Sequence, residues 1–143
     1  MRSDPSAVLS SILDIRGPSL LELDESLGDT SSAQIAGALR SRGFYVFIAT
    51  LAQGGGEPEE GLIGELERGF RFPDYFGGNW NSVEECINDL SWLPGDGYCC
   101  VLRNYKVLQE GNERAAGIFA SIISSSSARW AKAGKRFCVV LSP

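Results

Sequence analysis

Apolar positions along the chain follow two rhythms. Continuous apolar runs rich in β-branched and aromatic residues, FYVFIATL (44–51), GYCCVLRNYKVL (97–108) and FCVVLS (137–142), read as strands. The first has little polar content and reads as a central strand buried on both faces. SLLELD (19–24) is a shorter strand candidate. Between these runs, apolar residues recur three and four apart. DTSSAQIAGALRSRGF sets Ile35, Ala38 and Leu39 on one helical face, with Ser31 or Ser32 as cap and Gly43 as stop. EEGLIGELERGF places Leu62, Ile63, Leu66 and Phe70 at helical spacing, and Pro58 suits its first turn. NERAAGIFASIISSSSARWAKAG is a long amphipathic segment ending at Gly134, whose run Ser124 to Ser127 reads as a solvated face or a local weakening. The first eighteen or so residues are weakly patterned, with Asp4-Pro5 and Gly17-Pro18 as breakers.

Strands that alternate with helices predict an α/β domain: a small parallel β-sheet packed with helices through right-handed crossovers. A chain of 143 residues suffices for one such domain with a proper core. No internal repeat, G-x-G-x-x-G or Walker sequence interrupts this plan, and the glycines at 54–56 read as a flexible loop.

The stretch FPDYFGGNWNSVEECINDLSWLP (72–94) stands apart. Projected at helical spacing, Trp80, Val83, Cys86, Ile87 and Leu90 share one sector. Asn81, Glu84, Glu85 and Asn88 fall opposite, with Asp89 on the shoulder. The segment is therefore an amphipathic helix with a core face and an acidic outer face. Asn79 or Asn81 can cap it, and Asn81 with Glu84 has the spacing of a capping box. Gly77 and Gly78 fit a tight turn. Tyr75 and Phe76 beside it are either core anchors or contact residues, since Tyr is enriched in binding hot spots.

Charge and composition narrow the chemistry. Acidic residues number 18 against 13 basic, a formal net charge of −5. That balance argues against a nucleic-acid binder, which needs a basic footprint, and suits a basic protein partner. Histidine is absent, which weakens the case for hydrolytic or metal chemistry. Glu84 and Glu85 are sequence neighbours on an outer face, not a carboxylate pair held across a pocket. Cys86, Cys99, Cys100 and Cys138 lack metal-site spacing and read as reduced, buried thiols of a cytoplasmic protein, with Cys99 and Cys100 on opposite faces of a strand. No cofactor or metal is implied. The N-terminus lacks the apolar run of a signal peptide, and no stretch approaches a membrane span of about 20 apolar residues.

The 72–94 stretch resembles the core motif of barstar-like proteins, the small intracellular inhibitors of secreted bacterial ribonucleases. The family pattern runs Pro, acid, Tyr, aromatic, Gly, any, Asn, any, Asp, any three, Asp, Cys, Leu, then a Trp. Tyr75, Phe76, Gly77, Asn79 and Cys86 match it. The resemblance covers roughly residues 43–143, with the strand YVFIATL before the motif and FCVVLS closing the chain; residues 1–42 read as an N-terminal extension of βα type. It implies a three-stranded parallel sheet with packed helices. It also implies a helix and preceding loop that plug a ribonuclease active site, carboxylates meeting the Arg, Lys and His groups that bind RNA phosphate. Two positions depart from the pattern. Asn81 replaces the first helix Asp and loses its charge, and Glu85 replaces the second and moves the charge out by one methylene. Glu84 adds a carboxylate where the namesake has an aromatic. The last helix, near Ala128, Arg129 and Ala133, lacks the namesake's acids.

The expected function is a non-enzymatic, immunity-type inhibitor, a monomer when free, without contact to nucleic acid or membrane. Its partner-binding residues are Tyr75, Phe76, Gly77, Asn79, Asn81, Glu84, Glu85 and Asn88. The alternative keeps the fold as a binding module with a non-nuclease partner.

Overall fold

The computed structural model describes residues 4–54 and 56–143. Its strands are β1 (Leu20–Glu22), β2 (Phe44–Thr50), β3 (Gly97–Arg103) and β4 (Arg136–Leu141). They form one parallel sheet in the order β1-β4-β3-β2. The helices are α1 (Pro5–Leu13), α2 (Asp29–Arg40), α3 (Pro58–Gly69), α4 (Trp80–Asp89), α5 (Lys106–Gly111) and α6 (Glu113–Lys132). The α/β class and the parallel sheet are as the sequence predicts.

The pleat divides the core in two. Tyr98, Cys100, Leu102, Phe137, Val139 and Leu141 point to one face, where Leu62, Leu66, Phe70, Val83, Ile87, Phe119 and Ile123 of α3, α4 and α6 cover them. Cys99, Val101, Cys138 and Val140 point to the other. There Val8 and Ile12 of α1, with Ile35, Ala36 and Leu39 of α2, close the layer. Residues from the first forty-odd positions therefore supply both an edge strand and the whole helical cover of one face.

Three details of the sequence reading change. β2 is an edge strand, because β3, buried up to Leu102, and the fully buried β4 take the centre; Ile48 remains 39% exposed. The Asp4-Pro5 pair begins a helix instead of breaking one: Asp4 accepts a hydrogen bond from Ser6 N at 2.9 Å, and Pro5 sits where its missing N–H costs nothing. α2 starts at Asp29 with Gly28 in the cap position, so neither Ser31 nor Ser32 caps it.

The segment 97–108 divides as well. β3 ends at Arg103, Asn104 turns the chain at φ 60°, and α5 follows. Within the serine run of α6, Ser124 and Ser125 are exposed while Ser126 and Ser127 are buried, so only half of it is a solvated face.

Candidate functional site

The stretch 72–94 folds as the apolar periodicity requires. Val83, Cys86 and Ile87 bury the inner face of α4, and Trp80 is half-buried above Phe119, ring centroids 6.4 Å apart. Three indoles fasten the neighbourhood. Trp80 Nε1 donates to Glu59 Oε2 of α3 at 2.9 Å, Trp92 Nε1 to the Phe70 carbonyl at 2.8 Å, and Trp130 Nε1 of α6 to the Ile87 carbonyl at 2.9 Å. The helix is thus held on both sides, which limits the entropy a docking partner would have to remove.

Its start is set by Asn79, whose Oδ1 accepts from Ser82 N at 2.9 Å with an extended backbone, φ −127° and ψ 170°. Asn81 therefore lies inside the first turn and is not the cap, so no capping box joins it to Glu84. Gly77 sits close to the first turn of α4, where a Cβ would lie 2.7 Å from Ser82 Oγ and would make that hydroxyl turn away. The helix ends at Leu90, held at φ 47° with its side chain 1% exposed.

The predicted partner-binding residues lie on α4 and on the loop that leads into it. Tyr75 is 64% exposed, and its hydroxyl lies 3.4 Å from Asp89 Oδ2. Loss of hydration, then the neighbouring Cys86 thiol and Asp89 carboxylate, push its phenol above the ordinary value, so it stays a neutral donor. Phe76 packs instead on Phe72, with centroids 4.8 Å apart, and is half-buried. Gly77, Asn79, Asn81, Glu84 and Glu85 are exposed, and Asn88 is half-buried. Asn88 Oδ1 is shielded from solvent and accepts no hydrogen bond.

Beside this face a furrow runs between α4 and α6. One hollow of about 450 Å³ is lined by Trp80, Asn81, Glu84, Arg114 and Ile118, among others; another of about 420 Å³ is lined by Glu85, Asn88, Asp89 and Arg129. The bases of α6 carry no signal in the 72–94 motif and become part of the site only through helix packing. Cys86 does not make the site reactive. Burial first, then Glu85 and Asp89, push its thiol up, away from the thiolate a nucleophile needs. All four cysteines are free and buried, and no cluster of His, Cys, Asp or Glu able to hold a metal occurs among the described residues.

A family model described as Barstar (barnase inhibitor) matches residues 47–142, well over half of the chain. The chain belongs to the barstar family. Family members are inhibitors of barnase-type ribonucleases, not enzymes. The barstar match runs from within β2 to just past β4 and includes the whole of the α4 face, while α1, β1 and α2 precede it. No curated protein and no solved structure matches the chain. Among the described residues, no helix is long and apolar enough to cross a membrane.

Proposed function

We propose that this barstar-family chain is an intracellular, cytoplasmic inhibitor of a ribonuclease, and that it works by seating the face from Tyr75 to Asn88 in the nuclease active site. One observation carries the reading. The outer face of α4 presents Glu84, Glu85 and Asp89 with no base on the helix, beside the exposed Tyr75, on a scaffold held by three indole hydrogen bonds. Such a face offers carboxylate oxygens where a nuclease binds phosphate oxygens, and charge-assisted hydrogen bonds reward that substitution. The protein does no chemistry of its own; it occupies the site. In this reading residues 43–143 form the barstar-like domain, and residues 1–42 are an addition that covers its second sheet face.

The test is co-purification from the native host, followed by inhibition assays with the ribonuclease recovered. Glu85→Ala is expected to weaken inhibition by at least about tenfold, because it leaves a basic partner group buried without its counter-charge. If Glu85→Ala binds and inhibits that ribonuclease as the unaltered protein does, inhibition through this face is wrong. The second reading, a barstar-fold module with a non-nuclease partner, draws on Asn81 and Glu85, the two departures from the family motif. Recovery of a stable partner without nuclease activity would favour it.

A further inference from the structure

β2 leaves one long edge of the sheet open. Leu51 N donates to the Arg103 carbonyl at 3.1 Å, so alternation turns the odd-numbered backbone of β2 toward β3 and the even-numbered groups outward. At two of those outward positions a side chain steps in. Arg40 Nη2 donates to the Val46 carbonyl at 3.1 Å, and Glu65 Oε1 lies 3.4 Å from Thr50 N. Between them Ile48 carries its N–H and C=O outward with no partner among the described residues, and its side chain is 39% exposed. An open edge of this kind is a template for a further strand.

Charge selects which strand. A hollow of about 510 Å³ beside the edge is lined by Arg40, Arg68 and Arg71 together with Phe44, Tyr45 and Phe47, and no acid is among its lining residues. The guanidiniums come from the end of α2, the end of α3 and the stretch just past it, and all of these arginines are exposed. In a chain of net charge −5 this is a local reversal of sign. Arg40 and Arg68 sit in last helical turns, where a base also complements the helix dipole. Arg71 has no such reason. It follows the α3 cap at φ 53°, with Arg71 N bonded to the Arg68 carbonyl and Phe72 N to the Glu67 carbonyl, a closure in which glycine is the usual residue. A long cation held in that conformation at the rim of the hollow is an outlier that points to function. The nearby acid, Glu65, pairs with Arg68 on the exposed surface, a contact that a competing carboxylate can replace.

We infer that the β2 edge takes an extended acidic segment of a partner protein as an added strand, its backbone pairing at Ile48 and its carboxylates meeting Arg40, Arg68 and Arg71. The single bond that Arg40 gives to Val46 leaves most of its fork for a carboxylate. A second copy of this chain is a poor occupant, since pairing two β2 edges would bring both sets of guanidiniums together. A nucleic acid offers anions but no strand backbone to pair with Ile48. The site shares no residue with the α4 face and does not depend on nuclease inhibition.

The probe is a capped peptide of about eight residues, alternating Glu and Val, titrated against the full chain by fluorescence anisotropy. It is expected to bind saturably and at least about tenfold tighter than a Lys-Val repeat of the same length, with the difference shrinking as salt rises. A Glu-Pro repeat keeps the charge but cannot hold a ladder, and is expected to bind at least about tenfold more weakly than the Glu-Val repeat. Amide exchange at Ile48 should slow at least about tenfold with saturating peptide. Arg71→Gly relieves the backbone, so it should melt no lower than the unaltered protein yet bind the Glu-Val peptide at least about fivefold more weakly. Absence of saturable binding up to about 1 mM peptide overturns the inference. So does equal binding of the Glu-Pro repeat, or unchanged affinity in Arg71→Gly. Displacement of the peptide by an equal concentration of oligothymidylate overturns it in favour of a nucleic-acid site. Glu85→Ala is expected to leave peptide affinity unchanged, so failure of the inhibitor reading and failure of this site are read apart.

Discussion

Arg136 Nε donates to the Ile12 carbonyl at 2.7 Å, joining the first residue of β4 to the C-terminal turn of α1 across 124 positions of sequence. The same guanidinium donates to the carbonyls of Ser11, Gly17 and Pro18, and the residue is 5% exposed. A buried cation satisfied wholly by backbone carbonyls is tolerable only while all of them stay in place. Gly17 is part of the arrangement, since a Cβ there would press on the Arg136 fork at 3.0 Å and on the Ser11 carbonyl at 2.8 Å.

Arg136→Ala is therefore expected to destabilise the protein by about 3 kcal/mol, because it strands several buried carbonyls at once. Arg136→Lys, a point charge without the fork, recovers only part of that. Urea denaturation of the two variants beside the unaltered protein checks both magnitude and order. A loss below about 1 kcal/mol for Arg136→Ala would mean that water replaces the guanidinium.

Deleting residues 1–42 removes α1, β1 and α2 together. It uncovers Val46, Cys99, Val101, Cys138 and Val140, which the intact chain buries to 5% exposure or less. Full burial of a Val side chain is worth about 1.5–3 kcal/mol, so the loss over this face is of the same order as the 5–15 kcal/mol stability of an ordinary domain, and the bonds of Arg136 go too. The shortened chain is expected to aggregate or to lose its near-UV circular dichroism. A cooperative urea transition in the 43–143 fragment would show that the second face needs no cover.

Legibility in the sequence followed the strength of periodicity. β4 and the first seven residues of the 97–108 run are read correctly because they are buried on both faces, and α4 because its apolar residues recur at helical spacing; the end of that run, past Arg103, is a turn and a helix. The edge placement of β2 was not legible: its composition is as apolar as a central strand's, and only the pairing of β3 with β4 moves it outward. α1 escaped because Asp-Pro is both a breaker and a helix start, and tertiary burial of Val8 and Ile12 decides between them. The acids of the candidate face could be named from the motif. The bases beside them could not, since Arg114 and Arg129 come from a helix some thirty to forty positions on and meet α4 only through packing.

Glu57 links two helix starts. It accepts from Glu59 N at 3.3 Å in the first turn of α3 and from Asn112 Nδ2 at 3.0 Å, while Asn112 Oδ1 accepts from Ala115 N at the start of α6. The Asn112 bond first, and the Glu59 amide second, hold its carboxyl below the ordinary value of 4.5. A lowered folded value means the stabilisation is fully present above 4.5 and is lost as pH falls through the folded value. The melting temperature of the unaltered protein should exceed that of Glu57→Gln at pH 7, and the gap should close in strong acid. A gap that persists undiminished at acid pH would assign it to packing.

Ser32 Oγ and Ser126 Oγ are buried hydroxyls without a hydrogen-bond partner, in residues 1% and 0% exposed. Each has lost water and gained nothing in return, so Ala at either position removes a penalty and improves helix propensity. Ser32→Ala and Ser126→Ala are each expected to raise stability by about 1 kcal/mol. They lie under opposite faces of the sheet, so the double variant should be close to the sum. Destabilisation by Ser126→Ala in urea titrations would reveal that its hydroxyl is satisfied in solution.

Asn79 tests whether the start of α4 and the proposed docking face act as one unit. Its side chain supplies the cap through Ser82 N, and the Tyr75 loop enters the helix through it. Asn79→Ala should cost about 1 kcal/mol of stability, whereas Asn79→Asp keeps the acceptor and sits well at the positive end of the helix. Inhibition should follow the cap and not the fold as a whole. Asn79→Ala is expected to weaken binding to the recovered ribonuclease by several-fold at temperatures where the protein is fully folded, because the first turn positions Asn81 and Glu84. Asn79→Asp should restore the stability and most of the affinity. If Asn79→Ala loses stability but binds as the unaltered protein does, the first turn is not part of the contact, and the face narrows to Tyr75 and the Glu85 end of the helix.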